Sequence, residues 1–355
     1  MRRGMKKSII LLLLLLFTSS ARAQTDGPFP FSNFGGSAAV PEMDWTLPSA
    51  SASFNMTYTK TGATLHWIWP DGTTSDSNSP TVNIPAGIIR VQSKDGFGGV
   101  TQIVSSNILG GTLPTLPSGL TYIQMNNAIF TGTLSPLPSG LTAIYLYDSV
   151  FTGTLPTLPS GLTYLQLTNS TFSGTLPTLP SGLTSIQMTY STFSGTMPVL
   201  PSGLISIYLY KSNFTGALPA LPSTLTYAQL NSSPFSGTVP TLPTGLTYFT
   251  SDISTFSGTL PMLPSMLTGF GVTGSLFSGY TSGSLATQKS LTAFHAQMAN
   301  VSDVNAALED AVASLSIPGR VLCTITLAGS SPAPTGAGLT AKATLISAGW
   351  TVTTN

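Results

Sequence analysis

Residues 155–175 read "LPTLPSGLTYLQLTNSTFSGT", and residues 176–196 read "LPTLPSGLTSIQMTYSTFSGT". The phrase returns after 21 residues with few changes. Counting outward, leucine recurs at Leu120, Leu141, Leu162, Leu183, Leu204, Leu225, Leu246 and Leu267, always 21 apart. Taking each of these leucines as position 1 of a copy, position 11 is phenylalanine from Phe130 to Phe277 and position 13 is glycine from Gly132 to Gly279. A degraded earlier copy is visible around Val104, Asn107 and Gly111. A fixed period with no insertion is the mark of a stacked repeat, in which each unit buries its apolar side only against its neighbours.

Within a copy, positions 1, 4 and 6 are mostly apolar, as in Leu162, Leu165 and Leu167. Positions 4 and 6 alternate with polar residues, which is the period of a strand. The remainder cannot be helix, because Pro156 and Pro159 lack N–H donors and Gly153 and Gly161 loosen the backbone. "LPTLP" is expected to run in an extended, polyproline-like return that turns Leu155 and Leu158 inward beside Phe151. One copy is then one short strand and one return, and the strands pair in parallel about 4.8 Å apart.

The pattern L-x-x-L-x-L-x-x-S-x-F-x-G-x-L-P-x-L-P-x-G resembles the leucine-rich repeat. Its "LPxLP" return looks like the short bacterial subclass, and "F-x-G-T-L-P" is similar to the plant extracellular type. The resemblance implies a leucine-rich repeat solenoid, with parallel strands on the concave face and extended returns on the convex face. Where the family carries a buried asparagine ladder at position 9, this chain has Ser149, Ser170, Ser191, Ser212, Ser233, Ser254 and Ser275, with Ala128 once. A hydroxyl has one donor and a shorter reach than an amide, so the ladder must be rebuilt as serine–backbone bonds or be partly hydrated.

The domain expectation is a signal peptide at 1–23, a linker at 24–43, a small β module at 44–98, the solenoid at 99–285 and a C-terminal α/β cap at 286–355. The first segment joins a basic start, the apolar run "IILLLLLLF" and an A-x-A ending at Ala21 and Ala23. That run is too short for a comfortable membrane span, so cleavage near Ala23 and a secreted or cell-surface chain are expected. Without those residues, seven basic groups face eleven acidic ones, a formal net charge of −4. Nucleic-acid binding is disfavoured, because a phosphate backbone needs clustered Lys and Arg. Cys323 is the only cysteine, so no internal disulfide is possible.

Both flanks read as closing elements for the repeat. "SFNMTYTK", "ATLHWIW" and "TVNIPAG" alternate like strands, with a turn at "PDG", and resemble a small β module that precedes such repeats. At the other end, Leu291, Phe294 and Ala296 keep the repeat spacing. Ser302 is a cap candidate for a helix from Asp303 to about Leu315 whose face is Val304, Leu308, Ala311, Val312 and Leu315. A strand in "VLCTITL", a helix over 339–347 and a strand in "WTVTT" follow, and the ending looks like a tail module of secreted bacterial repeat proteins.

Catalysis needs an acid, base, nucleophile or metal held in a cleft. From Gly99 to Leu285 the only charged residues are Asp148, Lys211 and Asp252, and there is no histidine. His66 and His295 lie in no nucleophile motif, and with Cys323 they give no zinc spacing. Cys323 sits in an apolar strand and reads as a buried thiol. Trp67 and Trp69 alternate on one face and read as core rather than as a sugar platform. The reading is therefore a non-enzyme with no metal and no cofactor.

What varies between copies is the strand's polar side. Tyr122, Tyr164, Tyr227 and Tyr248 stand at position 3, and Gln124, Tyr145, Gln166, Gln187, Tyr208 and Gln229 at position 5. Asn126, Tyr147 and Tyr210 stand at position 7, with Tyr190 at position 8. Tyrosine with Gln and Asn offers contact area and fixed hydrogen bonds, as at interface hot spots. These residues are the candidate ligand face for a protein or glycan, with an affinity nearly insensitive to salt. Two alternatives are a self-associating surface or matrix protein, and an ice-binding solenoid using the threonine ladder Thr121, Thr142, Thr163, Thr184, Thr226 and Thr247.

Overall fold

The computed structural model describes residues 41–48, 51–78, 81–84, 86–105, 109–130, 133–134, 136–151 and 153–355. The expected signal peptide lies outside them, as does most of the expected linker.

The 21-residue period becomes a ladder of short parallel strands. Tyr122–Met125, Ala143–Tyr145, Tyr164–Gln166, Ser185–Gln187, Ser206–Tyr208, Tyr227–Gln229, Tyr248–Thr250 and Gly269–Phe277 pair in sequence order. Register never slips at positions 3 to 5, so Leu165 stands opposite Ile186 and Ile186 opposite Ile207. We number the coils 1 to 8 from Leu120. The earlier copy is real as a strand: Val100–Ser105 pairs in parallel with Tyr122–Met125, placing Gln102 opposite Tyr122. This is a parallel β-solenoid of leucine-rich repeat type.

Each coil closes through the same local devices. In "PSGL" the N–H of Leu162 donates to the Pro159 carbonyl at 3.1 Å, and the bond recurs from Leu120 to Leu267. The following threonine then locks the next strand: the hydroxyl of Thr163 donates to the Thr142 carbonyl at 3.0 Å, as does its N–H at 2.8 Å. The core is layered. Leucines at positions 1, 4 and 6 are fully buried in coil 3, and Leu155 and Leu176 of the returns are buried beside them. Phe130, Phe151, Phe172, Phe193 and Phe214 form a continuous internal stack with centroids 5.2–6.4 Å apart. Removing one such leucine side chain from a packed core costs roughly 2–5 kcal/mol.

The serine ladder is rebuilt unevenly. Ser149 donates to the Met125 carbonyl at 2.6 Å, Ser233 to Leu209 at 2.6 Å and Ser275 to Ser254 at 2.8 Å. Ser170 and Ser191 are buried with no hydrogen-bond partner for their hydroxyls.

Before the solenoid, Ser51–Lys60 pairs antiparallel with Val100–Ser105 and with Thr81–Ile84, extending the same sheet. A second sheet joins Glu42–Leu47, Gly87–Gln92, His66–Ile68 and Thr74–Asp76. Its first strand begins two residues inside the stretch expected as linker. Trp45 and Trp67 are fully buried there, and Trp69 stacks on Trp67 at 5.4 Å, so these indoles are core.

After the solenoid the sheet continues through Ala293–Met298, Thr324–Thr326 and Thr351–Thr353, all parallel. Helices α1 (Val301–Ser314) and α2 (Gly336–Ser347) replace the extended returns. α1 starts two residues earlier than the expected Ser302 cap allows. Asn300 is its N-cap, with its amide donating to Asp303 at 2.9 Å. Val304, Ala307, Leu308 and Ala311 face inward, and Val312 and Leu315 pack at the margin.

Candidate functional site

Strand alternation sets the site. In every solenoid strand positions 4 and 6 are buried, so positions 3 and 5 face the other way. There Tyr122, Gln124, Tyr145, Tyr164, Gln166, Gln187, Tyr208, Tyr227, Gln229 and Tyr248 are all half-buried. Parallel pairing then brings successive tyrosines into contact across coils.

Two ring stacks result. Tyr122 meets Tyr145 at 5.2 Å between centroids, and Tyr145 meets Tyr164 at 4.6 Å. Tyr208 meets Tyr227 at 4.8 Å, and Tyr227 meets Tyr248 at 4.9 Å. The stacks cross between columns, because Tyr145 and Tyr208 stand at position 5 and the others at position 3. The Tyr122 hydroxyl donates to Gln124 Oε1 at 2.8 Å. Burial, reinforced by a neighbouring tyrosine, pushes the phenols of Tyr122, Tyr164 and Tyr227 above their ordinary value. They are neutral donors at physiological pH.

Between the stacks lies coil 4, where Ser185 and Gln187 occupy positions 3 and 5. The hydroxyls of Ser185 and Ser206 are 2.9 Å apart.

Position 8 behaves differently from the other varied positions. Asn127, Asp148, Asn169, Tyr190, Lys211, Ser232 and Ile253 all have φ between 51° and 62°. This is the left-handed residue of the turn leaving each strand, so backbone geometry constrains it first. Tyr190 is exposed there and meets Tyr210 edge-on at 5.3 Å, with the Lys211 ammonium 4.9 Å from the Tyr190 ring. Tyr147 is exposed, and Asn126 half-buried, beside the same turn. Asn169 donates to Asp148 one coil away. The sequence reading put positions 3, 5, 7 and 8 on one wall; the structure separates a ring-lined strand face from a turn edge. The repeated Asn and Asp at Asn127, Asp148 and Asn169 were the available signal for that turn.

The other polar residues have local tasks. His66 Nδ1 lies 2.7 Å from Asp76 Oδ1. His295 is half-buried on its strand. Cys323 is buried, which pushes its thiol up despite nearby Arg320. Among the described residues no group of three His, Cys, Asp or Glu side chains stands where it could hold a metal ion. Among the same residues no helix is long and apolar enough to cross a membrane. A cleft of about 420 Å³ beside the second sheet is lined by Trp69, Pro70, Ile88 and Arg90; Arg90 is held by Asp44 at 3.0 Å and Glu42 at 3.1 Å.

No protein-family model matches the sequence, and no curated protein matches it. Among solved structures, the chain is similar to a PEPR1–AtPEP1 complex at 20% identity, over 65% of this chain and 35% of that one, with a TM-score of 0.48. It is similar to the LRR ectodomain of the Arabidopsis receptor kinase HAESA with a peptide hormone ligand, at 20% identity, over 62% and 40%, TM-score 0.48. YopM from Yersinia enterocolitica is 22% identical over 57% and 47%, TM-score 0.43. The chain thus spans less than half the length of each of these three. The fold rests on the strand register above, to which likenesses of this size add nothing.

Proposed function

We propose that this chain is a non-catalytic, exported binding protein whose strand face holds an uncharged segment of a protein ligand. The observation that carries the reading is the pair of half-buried tyrosine stacks on a wall with almost no charge. Stacked phenols are rigid before the ligand arrives, so little side-chain entropy is lost on contact. Edge hydroxyls and the flanking Gln124, Gln166, Gln187 and Gln229 amides supply directional bonds to a peptide backbone.

A protein segment suits this wall better than a sugar. Rings paired at 4.6–5.2 Å turn most of their faces towards each other, which leaves only the end rings of each stack with a face open to a pyranose. The threonine ladder favours ice poorly, since the Thr142, Thr163 and Thr184 hydroxyls all donate to backbone carbonyls of the preceding coil. Export is supported by the leader-like composition of residues 1–23.

The test is a protein, peptide and glycan array probed with the chain and with a Tyr145→Ala/Tyr208→Ala/Tyr227→Ala variant. The reading expects peptide or protein ligands, with affinity reduced at least about tenfold in the variant and little changed between low and high salt. Equal affinity in a folded variant would remove it. Concentration-dependent light scattering without added ligand would instead favour self-association.

A further inference from the structure

Coils 1, 2, 3, 5, 6 and 7 each place one tyrosine at position 3 or position 5: Tyr122, Tyr145, Tyr164, Tyr208, Tyr227 and Tyr248. Coil 4 alone breaks the run. Its strand, Ser185–Gln187, is flanked by Tyr164–Gln166 on one side and Ser206–Tyr208 on the other. The ring contacts on both sides follow the strand spacing, at 4.6–5.2 Å per coil. Skipping one coil leaves Tyr164 and Tyr208 about two strand steps apart, or roughly 10 Å. One ring seated between them would stand about 5 Å from each, at the same spacing the ladder already uses.

We propose that the coil-4 gap is a socket for one aromatic side chain of the protein ligand, which completes the tyrosine ladder. This rests on the binding reading above and gives it a specificity.

The chemistry of the gap agrees with such a guest. The inward faces of Tyr164 and Tyr208 have no ring partner across coil 4 among the described residues, while Tyr248 at the far end is seated over Gly269. The floor is the Ser185–Ser206 hydroxyl pair at 2.9 Å, and half-buried Gln187 stands at position 5 of the same coil. A phenol or indole would stack on both walls and find hydroxyl and amide partners for its polar tip. An aliphatic guest would gain no stacking and would leave the floor hydroxyls facing hydrocarbon. Ionic groups contribute little, because the solenoid's charges, Asp148, Lys211 and Asp252, stand at positions 7 and 8, off the ring columns.

The test uses the full chain and a random dodecapeptide display library. Ser185→Tyr supplies the missing ring from within, and it should fold with unchanged circular dichroism and an equal or higher Tm. Peptides selected on the wild type should share one Tyr, Trp or Phe position and should lose about tenfold or more affinity for S185Y. N-acetyl-tryptophan amide should shift the NMR signals of Tyr164 and Tyr208, and N-acetyl-leucine amide should not. Should S185Y fail to fold, Gln187→Tyr places the ring in the adjacent column and carries the same expectation. Selected peptides without a shared aromatic position, or binding S185Y within about twofold of wild type, overturn the socket. In the latter case, loss of binding in the triple tyrosine variant would leave the binding face standing, and retention of binding there would remove both.

Discussion

The ring of Tyr248 lies over the α-carbon of Gly269 in the next coil. A β-carbon at Gly269 would stand 2.7 Å from Cε2 and 2.9 Å from Cδ2 of that ring. The tyrosine ladder ends on a glycine, and a β-carbon there would require its last ring to shift.

Gly269→Ala should destabilise the protein by about 1–3 kcal/mol, the usual cost of overpacking. In a Tyr248→Ala background the same substitution should be close to neutral, since the clash is gone. The check is a double-mutant cycle by denaturant unfolding, and additive effects would contradict the contact.

The serine ladder makes an asymmetric prediction. Ser233 donates to the Leu209 carbonyl at 2.6 Å and contacts Ser212 at 2.7 Å, so Ser233→Ala should cost about 1 kcal/mol or more. Ser191 is buried without a partner, so Ser191→Ala should be neutral or stabilising. Thermal unfolding of the two variants side by side decides it; equal losses would mean that Ser191 is satisfied in solution.

Ile253 holds φ at 62° while 58% exposed. A β-branched residue is strained in that region, and asparagine tolerates it better. Ile253→Asn should raise stability by about 1 kcal/mol, readable as an increase in the urea midpoint. A lower midpoint would show that Ile253 contributes packing that outweighs its backbone.

Burial raises the phenols of Tyr58 and Tyr280, the latter also by the Asp310 carboxylate that accepts its hydrogen bond at 2.8 Å. The unfolded chain titrates these groups near pH 10. Above that pH the unfolded state holds fewer protons than the native one, so stability falls as pH rises. Urea midpoints should drop between pH 9 and pH 11, and Tyr280→Phe should flatten the drop. An unchanged slope in that variant would contradict the assignment.

Much of this architecture was legible in the sequence, because a 21-residue period leaves little freedom. The apolar residues at positions 4 and 6 could be placed inside by alternation and the leucine at position 1 and phenylalanine at position 11 by the period, and they are buried. The left-handed turn at position 8 was harder to read. Tyr190, Lys211 and Ile253 are not residues that advertise φ > 0, and there stacking imposes a turn that the side chain would not choose. The strand Glu42–Leu47 was missed in part because its first two residues, Glu42 and Met43, fall in a stretch that read as linker. The tyrosines could be assigned to one wall, but their contacts depend on register between coils. Only that register shows Tyr145 beside Tyr164 and leaves coil 4 without a ring.

The most direct measurement is a tyrosine-modification footprint, read residue by residue by mass spectrometry with and without a selected peptide ligand. Protection should centre on Tyr164 and Tyr208 and extend to Tyr145 and Tyr227, while Tyr280 stays unchanged. Protection confined to residues off the strand face, or none at those four rings under saturating ligand, would contradict the account.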